Sequence, residues 1–138
     1  MLRGKASHAY LLMAGSTNPM QYAIENAVVR VEYADGTRDE LMLTPPINWC
    51  PIEQDFLENA TAFPQPELRP YRIGLASGKV SRHLFRDLHL EVNKNMADVP
   101  GFKKAVAEIE GGAAILLDMP LDARKNLKRF TLWALCIE

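Results

Sequence analysis

The stretch that decides the fold is residues 27–43, which read Ala-Val-Val-Arg-Val-Glu-Tyr-Ala-Asp-Gly-Thr-Arg-Asp-Glu-Leu-Met-Leu. Apolar and polar residues alternate on both sides of Asp35-Gly36, and this pattern predicts a β-hairpin. If Gly36 adopts the left-handed conformation that closes a three-residue loop, Tyr33 lies opposite Thr37. A two-residue Asp-Gly loop would mix charged and apolar residues on each face, so the three-residue loop is the better prediction.

The predicted register gives the hairpin one charged face and one apolar face. Arg30 lies opposite Glu40 and Glu32 lies opposite Arg38, so unlike charges pair across the strands. The other face carries the large apolar side chains: Val29, Val31, Tyr33, Leu41 and Leu43. Only Asp39, opposite Val31, disagrees with this division.

Short apolar runs between turn residues predict strands in the rest of the chain. Residues 8–13 are predicted to form a strand buried on both faces. Further strands are predicted at residues 71–75 with 79–81 (a second hairpin), at 113–119 and at 127–137. One helix is predicted over residues 98–110, with Asp98 as its cap and Gly111-Gly112 as its end.

Prolines dominate residues 44–70. Pro45, Pro46 and Pro51 exclude a helix and interrupt any sheet ladder, so the segment is predicted to be a long ordered loop with one short strand. Long loops in compact domains usually carry a site or a docking surface. The chain is therefore predicted to be a single all-β domain over residues 1–138, an antiparallel β-sandwich with one or two short helices.

Composition excludes several classes of function. The 138 residues carry 16 basic and 17 acidic side chains with no basic stripe, which argues against a nucleic-acid partner. The apolar runs are too short to cross a membrane. The first residues lack the apolar core of a signal peptide, which predicts either a cytoplasmic protein or a piece of a larger one.

The densest group of chemically useful side chains follows Pro46. Glu53 and Asp55 are two residues apart, so a strand would present both carboxylates on one face, as an acid/base pair or as ligands for a hard cation. The simpler interpretation is that both bond within the domain, to the loop backbone and to a nearby arginine. Trp49 and Tyr71 flank this region, and with Glu53 and Asp55 they form the candidate carbohydrate-binding set. The prolines around Trp49 also predict that its side chain is largely buried and structural.

Other nucleophile and metal arrangements are weak. Cys50 with His83 or His89 could act as a thiol and base, but no surrounding motif supports it. Ser16 lacks the second glycine of a nucleophile elbow. Buried thiols are a better prediction for Cys50 and Cys136 than a disulfide, and no catalytic residue, metal or cofactor is predicted.

Several segments, taken together, resemble one protein family. They are residues 8–20, 31–37, 48–55, 69–72 and 111–122, and the most specific match is Asn48-Trp-Cys-Pro-Ile-Glu-Gln-Asp55. The family is a poorly characterised group of large glycoside-hydrolase-like proteins (a domain of unknown function) from polysaccharide-degrading gut bacteria. More loosely, the first strand, the hairpin and the closing Leu127-Lys-Arg-Phe-Thr-Leu132 strand resemble galactose-binding-like jelly rolls.

This resemblance implies an accessory jelly-roll sandwich beside a larger sugar-processing domain, in a periplasmic or secreted parent. The expected function is a non-catalytic accessory or docking domain of a carbohydrate-degrading protein. Two alternatives stay open: a stand-alone carbohydrate-binding module, and part of a glycoside hydrolase active site completed by another domain. Related sandwiches usually add one more strand after Cys136-Ile-Glu138, so an exposed sheet edge predicts a homodimer or a missing partner.

Overall fold

The computed structural model describes residues 2–16, 23–56, 66–82, 106–109 and 111–135. Nine strands run through these ranges: β1 His8–Met13, β2 Ala27–Tyr33, β3 Arg38–Leu43, β4 Gln54–Phe56, β5 Tyr71–Gly74, β6 Val80–Ser81, β7 Val106–Glu108, β8 Ala113–Pro120 and β9 Leu127–Ala134. Sheet A has the order β1-β8-β5-β6, sheet B has the order β3-β2-β9, and β4 pairs with β7 in a short ladder. Every pairing is antiparallel.

The two sheets pack face to face around one core, so the all-β prediction is confirmed. Alternate residues of β2 and β8 point inward, because successive side chains of a strand leave opposite faces. The buried cluster joins both sheets and the proline-rich segment: Val29, Val31, Tyr33 and Leu43 from sheet B, Ile115, Leu117 and Met119 from sheet A, and Trp49 and Cys50. This arrangement is compatible with a β-sandwich, whereas the jelly-roll connectivity stays a prediction.

The hairpin register is confirmed residue by residue. Val29 lies opposite Leu41 and Arg30 opposite Glu40, and Gly36 adopts a φ of 86°. The Tyr33 amide donates to the Thr37 carbonyl at 2.9 Å, which closes the predicted loop. The position of Asp39 also has a reason, because its carboxylate accepts a hydrogen bond from the Tyr33 hydroxyl at 2.6 Å.

Three sequence predictions are wrong. The first concerns β1, which alternates between exposed and half-buried residues and is therefore not buried on both faces. The second concerns the helix over residues 98–110, because β7 lies within it and pairs with β4. The described part of the chain contains no helix, and residues 98–105 and 110 lie outside it. The last strand ends at Ala134 instead of residue 137.

Candidate functional site

The outer face of sheet A exposes large apolar side chains on neighbouring strands. Leu12 of β1 and Tyr71 of β5 both lie opposite Leu116 of the intervening β8. Tyr10 follows along β1, and Ile73 and Val80 extend the surface toward β6. Tyr10 is 69% exposed, Leu12 62%, Val80 56% and Tyr71 44%. We call this surface the tyrosine face: Tyr10, Leu12, Tyr71, Ile73, Val80 and Leu116.

Polar side chains flank the tyrosine face. The imidazole Nδ1 of His8 lies 2.7 Å from a carboxylate oxygen of Asp118, and the His8 ring stacks on Tyr10 with centroids 6.1 Å apart. At the other end, the guanidinium carbon of Arg82 lies 4.0 Å from the centroid of the Tyr71 ring. Both tyrosines are therefore held by a neighbour while one ring surface stays open.

The outer face of sheet B has the opposite character. Arg30 and Glu40 pair at 2.5 Å across β2 and β3. Arg129 of β9 donates to Glu32 at 2.7 Å, and this bond is the main reason that the pKa of Glu32 is lowered. The exposed Trp133 is covered by Arg30, whose guanidinium carbon lies 4.2 Å from the ring centroid. This face is a solvated surface of paired charges.

Trp49 lies in the core and not on a surface. It is only 6% exposed, as predicted. A side-chain carbon built on Gly15 would come within 3.1 Å of its ring, so the backbone at Gly15 packs closely against the indole. Asn48 fixes the approach, since its amide oxygen accepts from the Thr44 amide at 2.8 Å and its amide nitrogen donates to the Met42 carbonyl at 2.7 Å.

Tyr71 lies on the opposite side of sheet A from Trp49. The next residue, Arg72, points into the core and is 2% exposed. Its guanidinium donates to the Pro51 carbonyl at 2.6 Å and to the Ala113 carbonyl at 3.1 Å. Arg72 thus ties the proline-rich segment to β8, while Tyr71 faces solvent. The structure does not bring the two predicted sugar-binding aromatic residues to one surface.

The remaining predicted site residues do not form a cluster. Glu53 is exposed and its carboxylate accepts a hydrogen bond from the Ser16 hydroxyl, so the prediction that it bonds within the domain is confirmed. Cys50 is buried in the core. His83, His89, Cys136 and the side chain of Asp55 lie outside the described residues. Within the described ranges, no group of three or more acidic, histidine or cysteine side chains could hold a metal ion, and no helix is long and apolar enough to span a membrane.

Hydrogen bonds around the Tyr33 hydroxyl connect polar residues at the loop end of sheet B. The Tyr33 hydroxyl donates to Asp39 and accepts from the Asp122 amide at 2.9 Å. Burial is the main cause of the raised pKa of Tyr33, and the bond to Asp39 adds to it. Asp122 pairs with Arg124 at 2.9 Å, which holds the pKa of that carboxyl well below its usual range. These bonds lock the hairpin loop to the turn before β9, and their role is structural.

Sequence reasoning missed Tyr10, His8 and Asp118 as surface groups. The strict alternation of exposed and half-buried residues in β1 shows that His8, Tyr10 and Leu12 share one face. The sequence His-Ala-Tyr-Leu-Leu-Met does not show this alternation, because Tyr10 and Leu12 are apolar like their inward neighbours. Periodicity identifies which residues share a face and does not say whether the face is covered.

Comparisons with known proteins identify no relative. No protein-family model matches the chain, no curated protein matches it, and no solved structure matches it. The resemblance to glycoside-hydrolase-like proteins therefore stays a prediction, and arguments about function depend on the surfaces described above.

Proposed function

We propose that this chain is a non-catalytic docking domain that joins a larger carbohydrate-degrading protein through the tyrosine face. The observation that supports this most directly is the exposure of Tyr10 and Leu12 on β1 and of Tyr71 on β5, the two strands that flank β8 in one sheet. Contiguous exposed apolar surface is rare on monomeric proteins and marks interaction sites.

The composition of this face suits a protein partner. Its centre, Leu12-Leu116-Tyr71, is apolar, and among the described residues the polar and charged groups His8, Asp118 and Arg82 lie at its margins. Protein interfaces have the same order, with an apolar aromatic centre and a polar rim. The charged outer face of sheet B lacks this order, because its charges already pair within the sheet.

Carbohydrate binding is the second candidate, and one observation favours it. Tyr10 and Tyr71 lie on the same face with Cα atoms about 12 Å apart, from two strand spacings and a two-residue offset. Exposed aromatic rings separated along a flat surface can stack on successive sugar units, with Asp118 and Arg82 available to bond hydroxyl groups. This candidate uses Tyr71 from the predicted set and replaces Trp49 with Tyr10.

Titration separates the two candidates. We expect no heat of binding when the purified chain is titrated calorimetrically with a panel of plant and bacterial oligosaccharides at millimolar concentration, and no hydrolysis of aryl glycosides. Binding with a Kd up to the millimolar range that Tyr71→Ala removes and Leu12→Ser keeps would establish the carbohydrate module instead. Hydrolysis that Glu53→Gln abolishes would establish the enzyme alternative.

The docking proposal needs its own positive result. Proximity cross-linking in extract of the native cells should join the chain to a carbohydrate-degrading protein, and Leu12→Lys should remove that product. The matched control is Thr131→Lys, which adds the same charge to the outer face of sheet B. A cross-linked partner that survives Leu12→Lys would overturn the assignment of the tyrosine face.

A further inference from the structure

Two strands on one side of the sandwich have unpaired edges. β1 ends sheet A and β9 ends sheet B, and both line one apolar groove of about 360 Å³. Leu11 and Met13 line one wall of the groove, and Phe130 and Leu132 line the other. Leu132 lies opposite the core residue Val29 and yet is 53% exposed. The sandwich is thus open along this side in the described residues.

The hydrogen-bond pattern identifies which backbone groups of β9 have no partner among the described residues. The Leu135 amide donates to the Asn26 carbonyl of the neighbouring chain segment, so odd-numbered residues of β9 face β2. Residues 130, 132 and 134 then direct their backbone groups away from the sheet. The N-terminal segment covers only the start of this edge, where the Leu2 amide donates to Lys128 and the Leu127 amide donates to Gly4.

The edges at the other ends of the two sheets, β3 and β6, carry the protection that β9 lacks. β3 presents Arg38, Asp39 and Glu40, and β6 is only two residues long. Charged residues and short length are the usual devices that prevent sheet edges from pairing with other chains. Residues 130–134 of β9 read Phe-Thr-Leu-Trp-Ala, with neither charge nor proline.

We infer that β9 pairs antiparallel with β9 of a second copy of this chain, about a two-fold axis through Leu132. Residue 132 then faces its own copy, and residue 130 faces residue 134, so the unpaired groups of one edge match those of the other. The large Phe130 lies beside the small Ala134 of the partner subunit. The two copies of sheet B then form one continuous sheet, and the two Leu132 side chains cover the open grooves between β1 and β9.

Charge favours the second copy in this orientation. The only charged residues of β9 are Lys128 and Arg129 at its start. Antiparallel pairing about Leu132 sets the two Arg129 residues about 20 Å apart along the strands. At that distance, salt screens the repulsion between two exposed charges. Parallel pairing would set them side by side. Tyr10 and Leu12 of the tyrosine face also line the groove, but the inference depends on the backbone edge of β9 and not on the docking proposal.

The test is the mass of the full chain in solution, by analytical ultracentrifugation. We expect a dimer at about 100 µM that dissociates on dilution, as for a contact of micromolar Kd. Leu132→Arg places two like charges on the axis and should raise the dimer Kd by at least about 10-fold. Leu132→Pro should act similarly, because it removes only an outward-facing N–H and an edge strand tolerates proline there. The matched control Leu75→Arg changes a leucine that is as exposed as Leu132 but lies outside both the groove and the tyrosine face, and it should leave the dimer intact.

Disulfide cross-linking fixes the register. In a Cys136→Ser background, Leu132→Cys should form a covalent dimer on mild oxidation, since residues of a hydrogen-bonded antiparallel pair have Cα atoms about 5.5 Å apart. Phe130→Cys should not, because it lies about 14 Å from its own copy in this register. A monomer at all concentrations, which is also the result if another segment of the chain covers β9, would overturn the inference. So would a dimer that keeps its Kd in Leu132→Arg, or equal cross-linking at both cysteines.

Discussion

Trp49 and Tyr71 are both aromatic residues beside prolines, and the sequence predicted them as a pair, but the structure gives them opposite environments. Trp49 is enclosed by the core and crossed by the backbone at Gly15. Tyr71 stands on the outer face of sheet A with one neighbour, Arg82, over its ring. Sheet A therefore separates Trp49, which stabilises the core, from Tyr71, which is exposed to a partner.

The difference arises from the strand that carries Tyr71. Because side chains of a strand alternate, the inward position beside Tyr71 belongs to Arg72, which binds the carbonyl of Pro51 in the same segment as Trp49. On the buried side of sheet A, Arg72 therefore holds the proline-rich segment in place beside the apolar core residues of β8. The exposed side of sheet A carries apolar side chains that do not contact this segment.

The largest expected effect is on the buried side. Trp49→Ala should lower the free energy of unfolding by about 3–5 kcal/mol, because it removes a large buried aromatic side chain and leaves a cavity. The matched control is Trp133→Ala, which removes the same side chain from an exposed position covered by Arg30 and should cost less than about 1.5 kcal/mol. Urea denaturation of both variants at low micromolar concentration measures the two values.

The contrary result for Trp49 is easily recognised. If Trp49→Ala melts within a degree or two of the parent protein and instead loses sugar or partner binding, Trp49 is a binding residue. The buried position described here would then not represent the functional state.

The hairpin could be predicted in detail because its information is local. The turn chemistry of Asp35-Gly36 sets the register, and the alternation sets the faces. The position of Asp39 could not be predicted, since it depends on the Tyr33 hydroxyl reaching back across the strands. The failed helix at residues 98–110 has a similar cause: β7 is fixed by pairing with the distant β4, and a long-range ladder overrides a helical spacing of apolar residues.

The candidate site could be predicted only in part. Tyr71 was identified because an aromatic residue beside turn signals is conspicuous, whereas Tyr10 was assigned to a strand buried on both faces. Whether an apolar face is covered depends on how many layers lie over it, and sequence periodicity carries no information about that.

The second expected effect is on Arg72. Arg72→Met should lower the free energy of unfolding by about 2–4 kcal/mol, because the Pro51 and Ala113 carbonyls lose a charged donor in a buried place. Arg30→Met, on the solvated face of sheet B, removes a surface ion pair and should cost less than about 1 kcal/mol. Equal costs for the two arginine variants would contradict the contrast between the buried and exposed sides.

The third effect is on the exposed side and is smaller. Tyr71→Ala should cost less than about 1 kcal/mol of stability, the range of an exposed contact between an aromatic ring and a cation. The same variant should weaken whatever binds the tyrosine face, as measured by cross-linking or calorimetry. A decrease of several kcal/mol in the free energy of unfolding would show that Tyr71 is part of the core. It would contradict the assignment of the tyrosine face as a binding surface.

The smallest effect concerns the ionisation of Tyr33 on the buried side. Burial and the bond to Asp39 raise the pKa of Tyr33, so the folded protein favours the neutral phenol more strongly than the unfolded chain does. For a group with a raised pKa, this contribution to stability is complete below the unfolded pKa of about 10 and is lost as the pH rises through the folded pKa.

The free energy of unfolding of the parent should therefore fall more steeply between pH 9.5 and 11.5 than that of Tyr33→Phe, although the variant is less stable at pH 7 because the bonds to Asp39 and Asp122 are absent. The difference in absorbance at 295 nm between the parent and Tyr33→Phe should show that the Tyr33 phenol ionises above pH 10. Parallel pH profiles for the two proteins would show that the Tyr33 hydroxyl is hydrated in solution, and that the buried side of the sandwich is more open than its contacts indicate.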